Sequence, residues 1–510
     1  MDTKQVIVVG GGTAGWITAA RVAAHHRSGV QVTLIESPNI PTIGVGEGTW
    51  PTMRQTLRKV GLSEEVFLRE TFGSFKQGTW FHGWSRGGDE EYLHPFSLPL
   101  EYPDTTAAEL WLADSTNDHS FSAAVTPQDA VVKSNKAPKQ ASTPEYAFNV
   151  NYGYHFDAGK FAEVLKRHSV DSLGVKHVLG DVTGVQVNES SGVITSVSLE
   201  SGVVVEGDLF VDCTGQRGLL IDGHCRVGHV EVSSTLFNDR AIAVQVPYGR
   251  DNASIASATL ATATSVGWIW DIGLQNRRGI GHVFSSSFSS EDDAQLALER
   301  YLVATSPELD LKSLAFRVLK FESKYREVFW QDNVVAVGLS AGFVEPLEAS
   351  AIAMIEQSAE FIVEHLTAAW EAMPPVSRKF NSKMTHHWER IVAFLKLHYV
   401  LSSRSDSDYW ISHRLPEHCP QDLLDSLEIW KHQIPAIQDF PRVDELFPAA
   451  SYQYVLYGMC RPANSAPSLC QQPKGKSSLE LESQLRRKRE ELVQRLPTNR
   501  DLLTHIAANA

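Results

Sequence analysis

The stretch "VIVVGGGTAGWITAARVAAHHRSGVQVTLIES", Val6 to Ser37, constrains this chain more than any other. The apolar run Val6 to Val9 reads as a buried parallel strand. Gly10, Gly12 and Gly15 then form G-x-G-x-x-G. In that pattern the first glycine permits a tight turn, the second lets backbone approach a pyrophosphate, and the third lets helix and strand pack closely. Thr13, Ala14 and Gly15 open the following helix, whose free N–H groups and positive dipole end suit phosphates. A second strand ends at Glu36, where a carboxylate accepts from ribose hydroxyls. Strand, turn, helix, strand and acid in register predict a dinucleotide site and an α/β fold.

Two later segments select the dinucleotide. "GDLFVDCTGQRGLLI" (Gly207–Ile221) places an apolar strand before Asp212, Thr214, Gly215 and Gly218. It is similar to a strand-to-turn segment of FAD-dependent monooxygenases and oxidoreductases of the glutathione-reductase type. "DNVVAVGLSAGFVEPLEASAIAMIEQSAEFIVEHL" (Asp332–Leu366) reads as a buried strand, a glycine turn at Gly338 and a long amphipathic helix. Each alone is an ordinary βα unit. Together with the first they favour FAD over NAD.

Bulk properties narrow the class. A chain of 510 residues predicts two large regions. The 43% hydrophobic and 21% charged composition is that of a globular protein. A net charge of −14 argues against nucleic acid, whose binders carry a basic footprint. The charged start runs straight into a strand, without a secretory signal, and no apolar run is long enough for a bilayer. The cysteines, at 213, 225, 419, 460 and 470, show no C-x-x-C spacing, so neither a metal site nor a disulfide framework is expected. The expectation is a cytoplasmic protein.

With these motifs the chain resembles the flavin-dependent tryptophan halogenase family. "GGGTAGW" (Gly10–Trp16) looks like the family's opening, and "GWIWDIG" (Gly267–Gly273) like its Trp-x-Trp-x-Ile-Pro. "FGSFKQGTWFHGW" (Phe72–Trp84) resembles the segment bearing its catalytic lysine. "VEPLEAS" (Val344–Ser350) resembles the one bearing its catalytic glutamate, and "LHPF" (Leu93–Phe96) an aromatic pocket segment. The likeness runs from residue 1 to about residue 400 and weakens beyond.

The resemblance implies an FADH2-dependent halogenase. Reduced FAD from a separate, transient reductase, with O2, oxidises chloride or bromide to hypohalous acid, which is relayed by Lys76 to an electron-rich aromatic ring. Glu348 stabilises the cationic ring and takes its proton, with Glu345 the alternative. Backbone at Ser350 and Ala351 touches the halide. Trp268 and Trp270, expected on one strand face, keep the organic substrate from the flavin. Two departures stand out: Gly273 replaces the family's proline, loosening the turn, and Ala349 replaces its serine.

Family members acting on free tryptophan grip its amino and carboxylate groups through adjacent tyrosines, and this chain has no Tyr-Tyr pair. The expected substrate is indole or an indole derivative, held by His94, Phe96 and Tyr452. The alternatives are an FAD-dependent aromatic hydroxylase or a non-catalytic flavoprotein of the same fold.

The FAD-binding domain is expected over 1–365, discontinuous, with a polar insertion at 104–144. "NYGYHFDAGKFAEVLKRHS" (Asn151–Ser169) reads as a strand and helix resuming its sheet, and 176–205 as a β-meander. A helical substrate-capping region follows over 366–510, with tryptophans at 370, 388, 410 and 430. Asn464–Ser478 reads as a connector. Leu479–Leu496 reads as a charged amphipathic helix that packs on the protein's surface or against a second copy in a homodimer.

Overall fold

The computed structural model describes residues 4–40, 46–113, 119–366, 372–460 and 478–508. Trp370, Cys470 and most of the expected connector lie outside the described residues. The chain divides into two compact units. Unit 1 comprises Met1–Gly73, Phe156–Glu231 and Glu322–Trp388; unit 2 comprises Ser74–His155, Val232–Phe321 and Glu389–Ala510.

Unit 1 is built on a six-stranded sheet. Its order is Trp330–Gln331, Val334–Ala336, Leu209–Asp212, Lys4–Val9, Val30–Glu36 and Lys176–Leu179. All neighbours pair in parallel except the two-residue edge strand. Val6, Val8 and Leu34 are fully buried, as parallel strands covered on both faces require. The first helix, Thr13–His25, is buried continuously from Gly15 to Ala23. It packs against the helices Ala158–Asp171 and Ser350–His365. This is the expected α/β architecture. Strands Val182–Val187, Ile194–Leu199 and Val204–Glu206 form the expected antiparallel meander.

Two expectations change. The strand of "NYGYHF", Gly153–Phe156, does not resume the six-stranded sheet; it pairs antiparallel with Ser74–Lys76. Alternation of large rings, Tyr152 and Tyr154 against Phe75, suits this separate ribbon. Much of the polar stretch 104–144 is helical, at Thr106–Ala113, Phe121–Val125 and Gln128–Lys133. Its small residues let Ala107, Ala108 and Trp111 pack with Tyr454 and Tyr457.

Unit 2 carries a seven-stranded sheet. Its order is Arg317–Lys320, Arg240–Pro247, Arg277–Phe284, Gly267–Gly273, Thr259–Ala263, Gly78–His82 and Glu91–Pro95. Only the pairing of Thr259–Ala263 with Gly78–His82 is parallel. The helix Glu291–Thr305 covers one face, where Leu298 and Leu302 meet Ile269 and Ile280. Fully burying such a side chain contributes about 2 kcal/mol. The C-terminal part is helical, as expected, and the boundary between the units falls inside the helix Met373–Val400. Among the described residues, no helix is long and apolar enough to cross a membrane.

Candidate functional site

The parallel strands of unit 1 end together, and their terminal turns carry the residues expected to bind a dinucleotide. Gly10 has φ of +120°, and a side-chain carbon there would lie 2.2 Å from the Cys213 carbonyl oxygen. One at Gly15 would lie 1.8 Å from the Gly10 oxygen. At Gly12 it would meet nothing within 4 Å. The first and third glycines therefore close the turn, while the second leaves backbone open to a ligand. Gly12 is the N-cap of the helix, with no side-chain cap and no acid in the first turn. That leaves the N–H groups of Thr13, Ala14 and Gly15 suited to an anion. Chain and cofactor chemistry fit.

Glu36 sits beside this turn, its side chain filling the space a carbon on Gly11 would need. Its Oε2 takes Lys166 Nζ at 2.9 Å and lies 2.7 Å from His177 Nε2. Asp212 braces the neighbouring turn: Oδ1 accepts from Thr214 N and Oγ1, Oδ2 from Leu220 N and Ile221 N, at 2.6–3.0 Å. The third turn joins them. Gly338, with φ of +75°, faces Ala14, whose Cβ a side chain there would meet at 2.7 Å. Val337 N donates to the Asp212 carbonyl at 2.9 Å.

Beyond Gly338 the backbone becomes strained. Glu348 and Ala349 have φ of 63° and 55°, two successive non-glycine residues in the left-handed region. Each costs about 1–3 kcal/mol and marks a site the surroundings over-determine. The helix Ser350–His365 starts directly after them, with Ala349 as N-cap and no side-chain cap. Ser350 is buried and Ala351 exposed. Glu348 is 5% exposed and Glu345 1%. Trp50 Nε1 donates to the Glu348 carbonyl at 2.7 Å. One further turn along, burial pushes Glu356 up to about 7, although Thr52 and Thr56 hydroxyls donate to it.

Unit 2 holds the other set. In "GWIWDIG" side chains alternate, so Ile269 faces the covering helix while Trp268 and Trp270 share the opposite face, centroids 6.4 Å apart. Asp271 anchors the helix side, accepting from Arg278 Nε at 3.0 Å and Tyr301 OH at 2.9 Å. The Trp270 indole lies across Gly281 on the next strand: a carbon there would be 2.2 Å from Cζ2. Trp268 abuts Trp84, whose Nε1 donates to the Ala261 carbonyl. Gly273 does not loosen a turn. It ends the strand, paired with Arg278, its carbonyl accepts from Ser74 Oγ at 2.5 Å, and Ile255 and Tyr248 close in on its Cα.

Lys76 is 1% exposed, its Nζ 5.5 Å from the centre of the Phe96 ring. The ribbon partner strand brings His155 near. Burial first, and then the Lys76 charge, holds that imidazole well below its usual range, hence neutral. His155 Nε2 lies 2.8 Å from Thr259 Oγ1. His94 is buried, with Nε2 3.0 Å from Ser451 Oγ and its ring 5.7 Å from Phe394. Tyr452 also touches Phe394, at 5.0 Å, and packs on Phe440 and Trp430. Thus Lys76 meets Phe96, and His94 and Tyr452 share Phe394. The residues expected to bind the cofactor, with Glu348, Ser350 and Ala351, belong to unit 1. Trp50, Glu356, His155 and Gly281 escaped sequence reading, since a lone tryptophan, glutamate, histidine or glycine has no spacing to mark it. Among the described residues no three His, Cys, Asp or Glu are placed to hold a metal.

A profile of the family described as tryptophan halogenase matches residues 5–474. The chain is 32% identical to tryptophan 6-halogenase SttH of Streptomyces toxytricini, over 90% of each protein. A crystal structure of a tryptophan halogenase from Shewanella frigidimarina NCIMB 400 superposes with a TM-score of 0.92 at 41% identity, covering 100% of this chain and 98% of that one. BrvH, a flavin-dependent halogenase from Brevundimonas sp. BAL3, does so with a TM-score of 0.85 at 30% identity, over 99% of each.

Proposed function

The chain belongs to the tryptophan halogenase family, and on that premise we propose that it brominates or chlorinates indole or a simple indole derivative. Reduced FAD, when bound, supplies with O2 the two-electron oxidation of the halide. Everything else falls to the protein's own residues. Gly10, Gly12, Gly15 and the N–H groups of Thr13 and Ala14 hold the pyrophosphate, Glu36 faces the ribose, and the Gly338 turn completes the cradle. Backbone N–H groups of Ser350 and Ala351 hold the halide. Trp268 and Trp270 wall the organic substrate away from the flavin.

The observation that carries the reading is the burial of Lys76. A snorkelling surface lysine keeps its ammonium in water; this one is enclosed, beside an aromatic ring and a neutral imidazole. An ammonium so placed donates a hydrogen bond to hypohalous acid; alternatively, once it has given up a proton, the amine attacks the halogen, forming the N–halogen bond of a haloamine as the halogen–oxygen bond breaks and water leaves. In both cases the electrophilic halogen is aimed at one ring carbon. Glu348 stabilises the resulting ring cation and accepts its proton.

Relatives bear the name tryptophan halogenase, but an amino-acid clamp finds no support here. Tyr454 OH is engaged by the Ser97 carbonyl at 2.9 Å, and Tyr452 is enclosed by rings, with burial raising its phenol pKa. We assign reduction of the flavin to a separate reductase, and to the C-terminal helix Ser478–Arg495 an optional contact with a second copy.

The test supplies FAD, a flavin reductase, NADH, O2, bromide and either indole or tryptophan, with mass spectrometry of the products. Bromoindole in clear excess over bromotryptophan is expected. Hydroxylated product without halide incorporation, or flavin binding without any product, ends the halogenase reading; preference for free tryptophan ends the substrate assignment.

A further inference from the structure

Trp50 lies outside every motif that marks the site, yet it reaches the most strained backbone there. Its side chain is 9% exposed, and its Nε1–H donates to the carbonyl of Glu348 across 2.7 Å. Glu348 and Ala349 occupy left-handed conformations that L side chains rarely adopt. Neither is glycine, so their own sequence does not favour this turn. A backbone carbonyl held by a fixed donor fixes the peptide plane between Glu348 and Ala349, and with it the direction of the Glu348 Cα–Cβ bond.

The donor is itself anchored. Thr52, two residues along, donates its hydroxyl to Glu356 Oε2 at 2.6 Å, and Thr56 donates to Oε1. The segment Trp50–Thr56 thus grips the Glu348–Glu356 segment at two places. Pro51 between them has φ of −58°, which the ring enforces, so indole and threonine keep a set spacing.

We propose that Trp50 is a positioning residue: its indole N–H holds the left-handed Glu348–Ala349 turn and so aims the Glu348 carboxylate. This rests on the role assigned to Glu348 under Proposed function. It makes Trp50 necessary for the ring-halogenation step and dispensable for flavin binding and for oxygen consumption.

Trp50→Phe keeps an apolar ring and removes the donor. The expected result is a kcat for bromoindole lowered about tenfold, with the KM for indole and the Kd for FAD changed less than about twofold. Bromoindole formed per O2 consumed falls in step. Ala349→Gly removes the conformational penalty at one of the two strained residues. In that background Trp50→Phe therefore costs less than about threefold, a coupling that simple loss of packing does not produce. Replacing Trp50 by 3-benzothienylalanine, which exchanges N–H for sulfur at nearly constant shape, repeats the test should the phenylalanine variant fold poorly.

A crystal structure gives the readout independent of turnover: in Trp50→Phe, or in the benzothienyl variant, Glu348 or Ala349 leaves positive φ. Variants that keep both residues at positive φ with unchanged kcat overturn the proposal, as does a loss of FAD binding equal to the loss of turnover. If the unaltered protein makes no halogenated product, the proposed function fails, and the φ values in the variants still decide whether Trp50 holds the turn.

Discussion

Both units build their chemistry around close approaches, but with different materials. In unit 1 the first and third glycines of the G-x-G-x-x-G turn meet backbone: Gly15 the Gly10 oxygen, Gly10 the Cys213 oxygen. Unit 2 has backbone approaches too, Gly267 against the Val283 oxygen and Gly78 against the His94 oxygen, but at the tryptophan pair the contact is backbone against side chain, Gly281 beneath the Trp270 indole. A backbone contact cannot be relieved by changing a neighbour's side chain; a ring contact can. Unit 1 is therefore fixed in geometry and suited to a cofactor of constant shape. The tryptophan wall of unit 2 is adjustable in geometry, because a smaller ring or chain at position 270 relieves the contact.

The largest effect is expected where unit 2 alone is disabled. Lys76→Ala should lower bromoindole formation by at least about 10³-fold, about 4 kcal/mol of barrier, while the Kd for FAD changes less than about twofold. Product analysis by mass spectrometry and flavin fluorescence read the two quantities on one preparation. Halogenation surviving at full rate would remove the relay role of Lys76.

Next come the glycines. Gly15→Ala places a carbon 1.8 Å from a carbonyl oxygen and should destabilise unit 1 by more than about 4 kcal/mol. Gly12→Ala adds its carbon in open space and should leave the thermal midpoint of the FAD-free protein within about 1 °C while weakening FAD roughly 100-fold. Calorimetry and FAD titration separate them. Gly281→Ala should cost about 1–3 kcal/mol by overpacking, and adding Trp270→Leu should restore most of it. If that second change restores nothing, the claimed difference between the units is wrong.

The same difference decided what was legible in the sequence. Backbone chemistry has a fixed spacing, so Gly10, Gly12, Gly15, Gly338 and the parallel strands around them could be read directly. Strand alternation likewise placed Trp268 and Trp270 on one face. Side-chain networks assembled from distant segments leave no such spacing. Gly281 serves Trp270 only because the ladder pairs them, and His155 reaches Lys76 only because Gly153–Phe156 joins the ribbon with Ser74–Lys76 instead of the main sheet. Gly273 departs from the sequence expectation for this reason. Its meaning lies in Ile255 and Tyr248, which no local pattern brings to it.

The smallest effect separates the units by pH. In unit 1, burial lifts Glu356 from 4.5 to about 7. The folded chain thus keeps a proton that the unfolded chain releases between those values, so stability falls as pH rises through that window, by up to about 3 kcal/mol, and this contribution is flat above about pH 7. Nearby Glu360 does not add to it. Burial works to raise it, but Arg21 and Lys59 hold it below its usual value, so its contribution changes only at lower pH. Unit 2 runs the other way. Burial keeps His155 and His413 neutral, below the usual 6.5, assisted by the charges of Lys76 and Lys396. Their unfolded forms take up protons as pH falls below 6.5, so unit 2 gains stability as pH rises towards that value. The two trends oppose each other in a global melting curve and separate in a local one. Hydrogen exchange followed by mass spectrometry from pH 5.5 to 7.5, corrected for intrinsic rates, should show protection falling across Thr52–Val60 and Ser350–His365 and rising across residues 153–155. Glu356→Gln should weaken the first trend, the remainder belonging to Glu47, which burial also lifts to about 7, and leave the second. A parallel change in both would mean that a single global opening governs exchange, and the contrast drawn between the units would not extend to their stability.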